Sequence, residues 1–379
     1  MAHPRSVELI SEEILKEMSG TEYACSSLEP LSGGYLNFVF RGILITPLSD
    51  GTQEVAVKHG ENFVVRWPES YLSTTRCRAE GACLETFHGL PPTTSGAYII
   101  RTPTLHYFNA ESNTQVHEYF ANALSLKDYI GRHFSPSGDP SMKTLYIELG
   151  RDLGVWLRNF HGWASAPEQT KLRRDMSEGN KEMQQLKYRA YYIRLVEAVA
   201  EFPTILADAK ETFEKIREMA ADELQNPNLQ LIHGDFWAGN ILLPDQRLSE
   251  YGEQRPIFVV DWELCQLGVL SLDLGHMIAE LYKFWVFKGM NEGRWVIDGF
   301  AMGYGYIDDD FAFRTALHAG AHLVVTGTWI SGWGSETQGL HVVGVGKEMI
   351  LRAWHKDRAW FEAGDLACLF GNCDTYLGN

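Results

Sequence analysis

The sequence lacks an uninterrupted apolar run of about 18 residues, the length that a transmembrane helix requires. Its first 17 residues contain acidic side chains and no apolar core segment, unlike a secretory signal peptide. The six cysteines form no C-x-x-C pair and no zinc-ligand spacing, so they are expected to be reduced thiols. These absences predict a cytoplasmic protein that does not act at a membrane.

Positive charge is also scarce. The chain has 33 lysines and arginines against 49 acidic residues, giving a net charge of −16. Such a chain repels the phosphates of nucleic acid, so nucleic acid is not an expected partner. The 379 residues are 45% hydrophobic and 22% charged, which is typical of a globular protein large enough for two lobes. A monomer or a homodimer fits equally well.

One stretch, residues 229–275, has a spacing typical of phosphoryl transfer. His233-Gly234-Asp235 is followed by Asn240, which matches the length of the kinase catalytic loop H-R-D-x-x-x-x-N. Phosphoryl transfer needs a carboxylate near the acceptor hydroxyl and oxygen ligands for Mg²⁺. We therefore predict that Asp235 is the catalytic base and that Asn240 is a metal ligand.

A second carboxylate follows the next apolar strand. Residues 257–260 are all apolar and lead directly into Asp261, as a strand leads into the metal-binding Asp of D-F-G. A hairpin with its loop around 244–255 would bring Asn240 and Asp261 side by side. Gly-Asp pairs are common in turns, so H-G-D alone is weak. The full combination indicates a kinase site with Asp261 as the second metal ligand.

H-G-D-x-x-x-x-N together with strand-D-W-E resembles the aminoglycoside phosphotransferase and choline kinase superfamily, which shares the protein-kinase-like fold. The runs HGDFWAGNILL and SLDLGHMIAELY are similar to fungal small-molecule kinases, such as 4-hydroxytryptamine kinases and methylthioribose kinases. The resemblance implies an α+β, bilobal protein-kinase-like fold, with a small antiparallel β-sheet N-lobe and a large, mainly helical C-lobe. It also implies ATP and Mg²⁺ as cofactors.

A glycine pair upstream fits a phosphate-binding loop. Gly33 and Gly34 lie between two strand-like segments, and glycines let backbone amides approach phosphate oxygens. The run G-x-L-N-F-V-F-R, from Gly34 to Arg41, strengthens this interpretation because it resembles the phosphate loop of methylthioribose kinases. Asn37 either fixes the shape of the phosphate loop or is a structural turn residue.

Val55-Ala56-Val57-Lys58 matches the V-A-[IV]-K strand whose lysine contacts the α- and β-phosphates. Such a lysine needs a carboxylate partner. A helix predicted over 74–87 offers Glu80, which the family resemblance favours, and Glu85 as the alternative.

The predicted organisation has a nucleotide-binding lobe, a hinge and a catalytic lobe, at residues 1–116, 117–122 and 123–379. Strands are predicted over 97–109 and 114–120. The second strand enters the hinge, where Glu118 and Phe120 would offer backbone groups to adenine.

Helices are predicted over residues 6–18, 143–161, 271–285, 311–330 and 341–362 from their apolar periodicity, and helical periodicity also marks 165–225. Asp273 either braces the H-G-D loop through its backbone or His233, or caps its helix. His161 is expected to be a packing or capping residue.

The acceptor is left open. An acidic, aromatic pocket containing Trp237, Trp262, Glu263 and Trp329 would suit a cationic or aromatic amine. Tryptophans at such positions are more often core residues. Aminoglycosides, choline, methylthioribose and hydroxylated aromatic amines are all conceivable acceptors.

The sequence thus predicts an ATP- and Mg²⁺-dependent kinase that phosphorylates a hydroxyl group of a small molecule. Two alternatives stand beside it. A protein kinase is disfavoured because H-R-D and D-F-G are absent, and no A-P-E or long activation segment follows Asp261. A nucleotide-binding regulator without turnover is disfavoured because the lysine, base and metal ligands are all present.

Overall fold

The computed structural model describes residues 5–31, 34, 36–94, 96–135, 138–249, 254–326 and 334–371. The chain divides into two compact units. The first consists of Met1–Gly89 and Thr102–Ala121, and the second of Leu90–Arg101 and Asn122–Asn379.

The first unit is a small antiparallel sheet with two helices. Its strands are β1 (Cys25–Pro30), β2 (Phe38–Leu44), β3 (Glu54–His59), β4 (Phe63–Val64), β5 (Trp67–Tyr71), β7 (Leu105–Asn109) and β8 (Thr114–Glu118). Its helices are α1 (Val7–Met18) and α2 (Thr75–Phe87). The main sheet has the order β1-β2-β3-β8-β7, and β4 pairs with β5.

Alternating side chains explain how this sheet buries one face. Val55 and Val57 of β3 are fully buried. Lys58, the next residue after Val57, projects from the other face of the sheet. Helix α1, whose N-cap Ser6 accepts from the backbone N–H of Leu9 at 3.2 Å, contributes apolar residues to the same core. The helix predicted over residues 6–18 is confirmed.

The second unit is mainly helical. Its helices are α3 (Leu126–His133), α4 (Lys143–Ser165), α5 (Thr170–Gly179), α6 (Lys181–Tyr188), α7 (Arg194–Glu201), α8 (Pro203–Leu206), α9 (Lys210–Glu223), α10 (Ser271–Lys288), α11 (Asn291–Tyr304), α12 (Asp309–Thr326), α13 (Glu336–Trp354) and α14 (Arg358–Glu362). Its strands are β6 (Tyr98–Arg101), β9 (Ala123–Ser125), β10 (Gln230–Ile232), β11 (Ile241–Pro244), β12 (Arg255–Val259) and β13 (Gln266–Gly268).

These strands form two small sheets, in the orders β6-β12-β11-β9 and β10-β13. The two units together form the kinase-like bilobal α+β fold that the sequence predicts. Of the helices in the described ranges, none combines the length and apolar composition that a membrane crossing needs.

Two predicted elements are wrong in detail. The strand predicted over 97–109 is two strands, β6 and β7, because Pro103 lies between them and cannot donate to a ladder. Strand β6 pairs in parallel with β12 in the second unit. The helix predicted over 341–362 is also two elements, helices α13 and α14. The chain turns between them at Lys356, which has a positive φ of 53°.

Helices α4 and α11 pack with their backbones unusually close. A Cβ atom added to Gly154 would lie 2.2 Å from the carbonyl oxygen of Phe300, and one added to Gly303 would lie 1.9 Å from that of Arg151. Each helix carries a G-x-x-x-G pair at this contact, so small residues face each other across it. The contact fixes α4, which carries His161.

We expect Gly154→Ala to destabilise the second unit by about 1–3 kcal/mol, because the methyl group forces two backbones apart. Gly162→Ala is the matched control, since Gly162 lies on the same helix with nothing within 4 Å of its Cβ position. It should stabilise by up to about 1 kcal/mol through helix propensity. Thermal and urea unfolding of both variants measures the difference, and equal stabilities would contradict the close packing.

Candidate active site

The H-G-D segment is a tight loop between β10 and β11. Gly234 has a φ of 76°, and a Cβ there would lie 2.1 Å from the carbonyl oxygen of Leu264. Only glycine fits this conformation and this space. The loop therefore has one shape, and the side chain of Asp235, which is 21% exposed, projects from it.

Asp273, near the start of α10, holds this loop. Its carboxylate accepts from the backbone N–H of His233 at 2.8 Å and of Gly234 at 2.9 Å. The Nε2 of His161 on α4 lies 3.1 Å from the same carboxylate. All these groups are buried. The predicted bracing role of Asp273 is confirmed, and His161 proves to be a partner of that brace.

His233 connects the loop to the strand that precedes Asp261. Its Nε2 donates to the carbonyl oxygen of Val260 at 3.1 Å, and its Nδ1 accepts from the backbone N–H of Asp235 at 3.2 Å. These partners require a neutral imidazole protonated on Nε2. Burial lowers the pKa of His233, which is consistent with that form.

The predicted hairpin brings the backbone of Asn240 next to Val260, the residue before Asp261. Strands β11 and β12 pair antiparallel, and the Val260 N–H donates to the carbonyl oxygen of Asn240 at 3.0 Å. The Asn240 Nδ2 donates to the Asp235 backbone oxygen and to its Oδ2, both at 3.0 Å. The Asn240 amide nitrogen is thus turned to Asp235, and its Oδ1 is the atom suited to a metal.

Asp261 has a left-handed backbone conformation, with φ 67° and ψ 65°. Such a conformation costs about 1–3 kcal/mol in a residue other than glycine and is often found at functional sites. Strand β12 ends two residues earlier, at Val259, so Asp261 lies in the turn that follows the strand.

Sequence reasoning missed one contact of Asp235. The Nζ of Lys187, on α6, lies 2.8 Å from Asp235 Oδ1. Burial opposes the charged form of Lys187, yet the Asp235 carboxylate raises its pKa above the ordinary value. Lys187 shares a helical face with buried Met183 and Tyr191, four residues to either side. A lysine on an apolar stripe was the signal that could have revealed it.

In the first unit, Lys58 pairs with Glu80 of α2. The Nζ of Lys58 lies 2.8 Å from the carboxylate of Glu80, whose side chain is 2% exposed. Glu85, the alternative partner, is exposed. The structure therefore selects Glu80 as the partner of Lys58.

Helix α2 also holds the loop that follows β1. Arg76 is fully buried, and its Nη2 donates to Asn37 Oδ1 at 2.8 Å. Asn37 thus has a bracing contact, consistent with a role in the shape of the loop. A Cβ on Gly34 would lie 2.6 Å from the carbonyl oxygen of Asn37. Gly33 lies outside the described residues.

The predicted aromatic pocket needs correction. Trp262 is fully buried, packs at 4.3 Å from the ring of His233 and donates its indole N–H to the carbonyl oxygen of Val259 at 3.0 Å. It is a core residue and is not placed to contact an acceptor. Glu263 is also buried, and its backbone oxygen accepts from Asn180. Trp329 lies outside the described residues.

Trp237 is partly buried beside the loop, with its ring parallel to His276 at 6.4 Å and the Lys127 ammonium 5.4 Å from its centroid. It stays a candidate. Glu118 ends β8, where its side chain accepts from the backbone N–H of Thr104 at 3.2 Å. The adenine contacts expected from Glu118 and Phe120 remain predictions.

A buried polar cluster lies beyond Asp235. His276 Nδ1 is 3.7 Å from Asp235 Oδ1, and the His276 ring centroid lies 4.6 Å from that of His322, whose Nε2 is 2.6 Å from Glu280 Oε1. His276, Glu280 and His322 have the donor set of a metal site. The Lys283 ammonium, however, lies 2.5 Å from the same Glu280 oxygen. A cation already neutralises this carboxylate, so the cluster is a hydrogen-bonded ion pair.

Sequence comparison identifies the family to which the chain belongs. The profile of the phosphotransferase enzyme family, APH, matches residues 44–313. The chain belongs to the APH phosphotransferase family. This confirms the predicted superfamily, and it makes the chain a small-molecule phosphotransferase.

Named relatives of this APH phosphotransferase span nearly its whole length. The phosphotransferase FrzJ of Cladobotryum sp. is 30% identical, covering 93% of this chain and 94% of that protein. The 4-hydroxytryptamine kinase of Psilocybe cubensis is 22% identical, covering 90% of each. Among solved structures, a choline/ethanolamine kinase family protein from Mesorhizobium loti is 15% identical, with a TM-score of 0.47 and coverage of 92% and 99%.

We expect Glu280→Gln to destabilise the protein by about 3–5 kcal/mol near pH 7, because Lys283 would remain buried without its carboxylate. Burial alone would raise the pKa of Glu280, but Lys283 and His322 lower it to about 2 from an ordinary 4.5. The stabilisation is therefore complete above pH 4.5 and is lost as the pH falls towards 2.

Urea unfolding of wild type and Glu280→Gln between pH 7 and pH 2 tests this. The difference in stability should be largest at neutral pH and should narrow at the acidic end. Glu211→Gln removes an exposed ion pair with Lys215 and should change stability little. A constant difference at all pH values would rule out the charged state of Glu280 as its source.

Proposed function

We propose that this phosphotransferase is an ATP- and Mg²⁺-dependent kinase that phosphorylates a hydroxyl group of a small molecule. The observation that carries the proposal is the arrangement of Asp235, Asn240 and Asp261 in the second unit. Asn240 contacts the Asp235 carboxylate at 3.0 Å, and its backbone is bonded to the residue before Asp261. A base next to two oxygen ligands is what phosphoryl transfer uses.

In this proposal, Asp235 accepts a hydrogen bond from the acceptor hydroxyl, orients its oxygen and takes its proton late in the reaction. Asn240 Oδ1 and the carboxylate of Asp261 would hold Mg²⁺, since both are oxygen donors of the type that this ion prefers. When bound, the ion would neutralise charge on the phosphates.

The remaining roles belong to the first unit. Lys58, fixed by Glu80, would contact the α- and β-phosphates of ATP. The backbone around Gly33 and Gly34 would approach the phosphates, with Asn37 maintaining the loop. Backbone groups of Glu118 and Phe120 would bind adenine, as the sequence predicts.

We also propose that the acceptor carries an aromatic ring, as a hydroxylated aromatic amine does. A small pocket, with a cavity volume of about 40 Å³, adjoins Gly234 and Lys187. Aromatic side chains line much of it, namely Tyr188, Tyr191, Tyr192, His276 and His318. Rings of this kind bind flat apolar groups. The name of one relative, 4-hydroxytryptamine kinase, describes a hydroxylated aromatic amine, and a net charge of −16 suits a cationic molecule.

A panel of acceptors tests this point. Hydroxylated aromatic amines should give ADP release and a phosphate ester, with higher kcat/KM than choline, methylthioribose or aminoglycosides. Matched hydroxylated aromatics without the amine separate the contribution of the aromatic ring from that of the positive charge. A preference for choline or a sugar would reject the aromatic acceptor while leaving the kinase assignment intact.

We expect Asp235→Asn to lower kcat by at least about 100-fold, because the amide cannot accept the hydroxyl proton. Binding of a non-hydrolysable ATP analogue with Mg²⁺, measured by calorimetry, should change little. Asp245→Asn, in the loop after β11, is the control and should retain activity. Full activity of Asp235→Asn would contradict the proposed base.

A further inference from the structure

The two carboxylate oxygens of Asp235 have different partners. Oδ2 accepts from the Asn240 amide at 3.0 Å, and Oδ1 lies 2.8 Å from the Lys187 ammonium. The side chains of Asp235 and Lys187 are 21% and 16% exposed. The pair is therefore sheltered but can still be reached by a small molecule.

Lys187 is held on a rigid support. It lies at the end of α6, where the helix continues into a π-helical turn over Arg189–Ile193. Its ammonium lies 5.1 Å from the ring centroid of Tyr191, and the Tyr191 hydroxyl is 3.1 Å from His322 Nδ1. Single π-helical turns in longer helices are often found at functional sites. This turn fixes the ring that supports the ammonium.

The position of the ammonium places it within reach of the reacting atoms. A hydroxyl that donates to Asp235 Oδ1 would lie about 2.7 Å from that oxygen. Two groups bonded to one oxygen are themselves only about 3–5 Å apart. The Lys187 ammonium would therefore adjoin the acceptor oxygen and the phosphoryl group that it attacks.

We propose that Lys187 is a further catalytic residue of this enzyme, whose ammonium contacts the acceptor oxygen and the transferring phosphoryl group. This inference rests on the proposed function, because it takes Asp235 as the base.

The charge balance of the reaction explains what Lys187 does. A bond forms between the acceptor oxygen and the γ-phosphorus, while the bond from that phosphorus to the β,γ-bridging oxygen breaks. ADP leaves with the electron pair, and the hydroxyl proton passes to Asp235. The carboxylate is neutral after that transfer, so the ammonium of Lys187 interacts with the phosphoryl oxygens instead. An interaction that strengthens towards the transition state raises kcat.

Three variants test the proposal. Lys187→Met should lower kcat by about 100-fold, as for loss of one preorganised electrostatic group, with KM for ATP changed less than about twofold. Lys187→Arg keeps the charge and should recover part of the loss. Lys181→Met, at the exposed start of the same helix, is the matched control and should behave as wild type.

A chemical-rescue experiment separates catalysis from mere structural support. Lys187→Ala should regain activity when methylammonium is added, because a free cation can occupy the vacated space. Its melting temperature should stay unchanged by that addition. Absence of rescue, together with a kcat loss that follows the loss of melting temperature, would overturn the proposal.

Two further outcomes are informative. If Lys187→Met keeps full kcat, or binds the acceptor more tightly, Lys187 only occupies the place of the acceptor and is not catalytic. Asp235→Asn, assayed in parallel, distinguishes the failures. Its inactivity beside an active Lys187→Met rejects this inference alone, whereas an active Asp235→Asn rejects the proposed function as well.

Discussion

The geometry of the second unit depends on the buried carboxylate of Asp273. A tight loop leaves backbone N–H groups turned inwards, and each would cost about 1–3 kcal/mol without a partner. Asp273 accepts two of them, from His233 and Gly234, and lies 3.1 Å from the His161 ring on α4. The loop so fixed presents Asp235. The His233 ring in turn donates a hydrogen bond to the carbonyl oxygen of Val260, the residue before Asp261, and so links the loop to that segment. One carboxylate on α10 thereby sets the position of Asp235, the proposed base, and of Val260, which precedes the candidate metal ligand Asp261.

In the first unit, the single helix α2 holds both a loop residue and a strand lysine. Arg76 and Glu80 lie four residues apart on α2, so they share a face. Arg76 donates to Asn37 in the loop after β1, and Glu80 pairs with Lys58 on β3. A buried arginine is acceptable here because it also donates to the carbonyl oxygens of Ser73 and Glu61, at 2.7 and 3.1 Å. The phosphate-binding features that the sequence suggests, a loop and a lysine, are thus oriented by one rigid element.

Local patterns predicted much of this arrangement, and long-range packing accounts for what they missed. The hairpin that joins Asn240 to Asp261 follows from two apolar strands and a polar loop, so it could be predicted. The sequence could not place Trp262, because a tryptophan after the candidate metal ligand Asp261 could face either a ligand or, as the structure shows, His233 in the core. Lys187 precedes Asp235 by 48 residues. No local sequence pattern connects Lys187 to Asp235, because the two residues meet only through the tertiary structure. The strand predicted over 97–109 is interrupted at Pro103, a local signal, whereas the pairing of its first part with β12 is a tertiary effect that the sequence does not show.

The Lys187 ammonium beside Asp235 weakens that carboxylate as a proton acceptor, which is an objection to its proposed role as a base. The objection would hold for a reaction that needs full deprotonation before attack. In a loose phosphoryl-transfer transition state the acceptor hydroxyl loses its proton late, and orientation matters more than basicity. Asp235 is oriented from both sides, by Asn240 on Oδ2 and by Lys187 on Oδ1. The buried ion pair of Glu280 and Lys283 lies on the same helix, α10, as the Asp273 brace. Paired charges therefore fix side-chain directions in the second unit, and this would suit the role proposed for Asp235, which is to orient an acceptor hydroxyl.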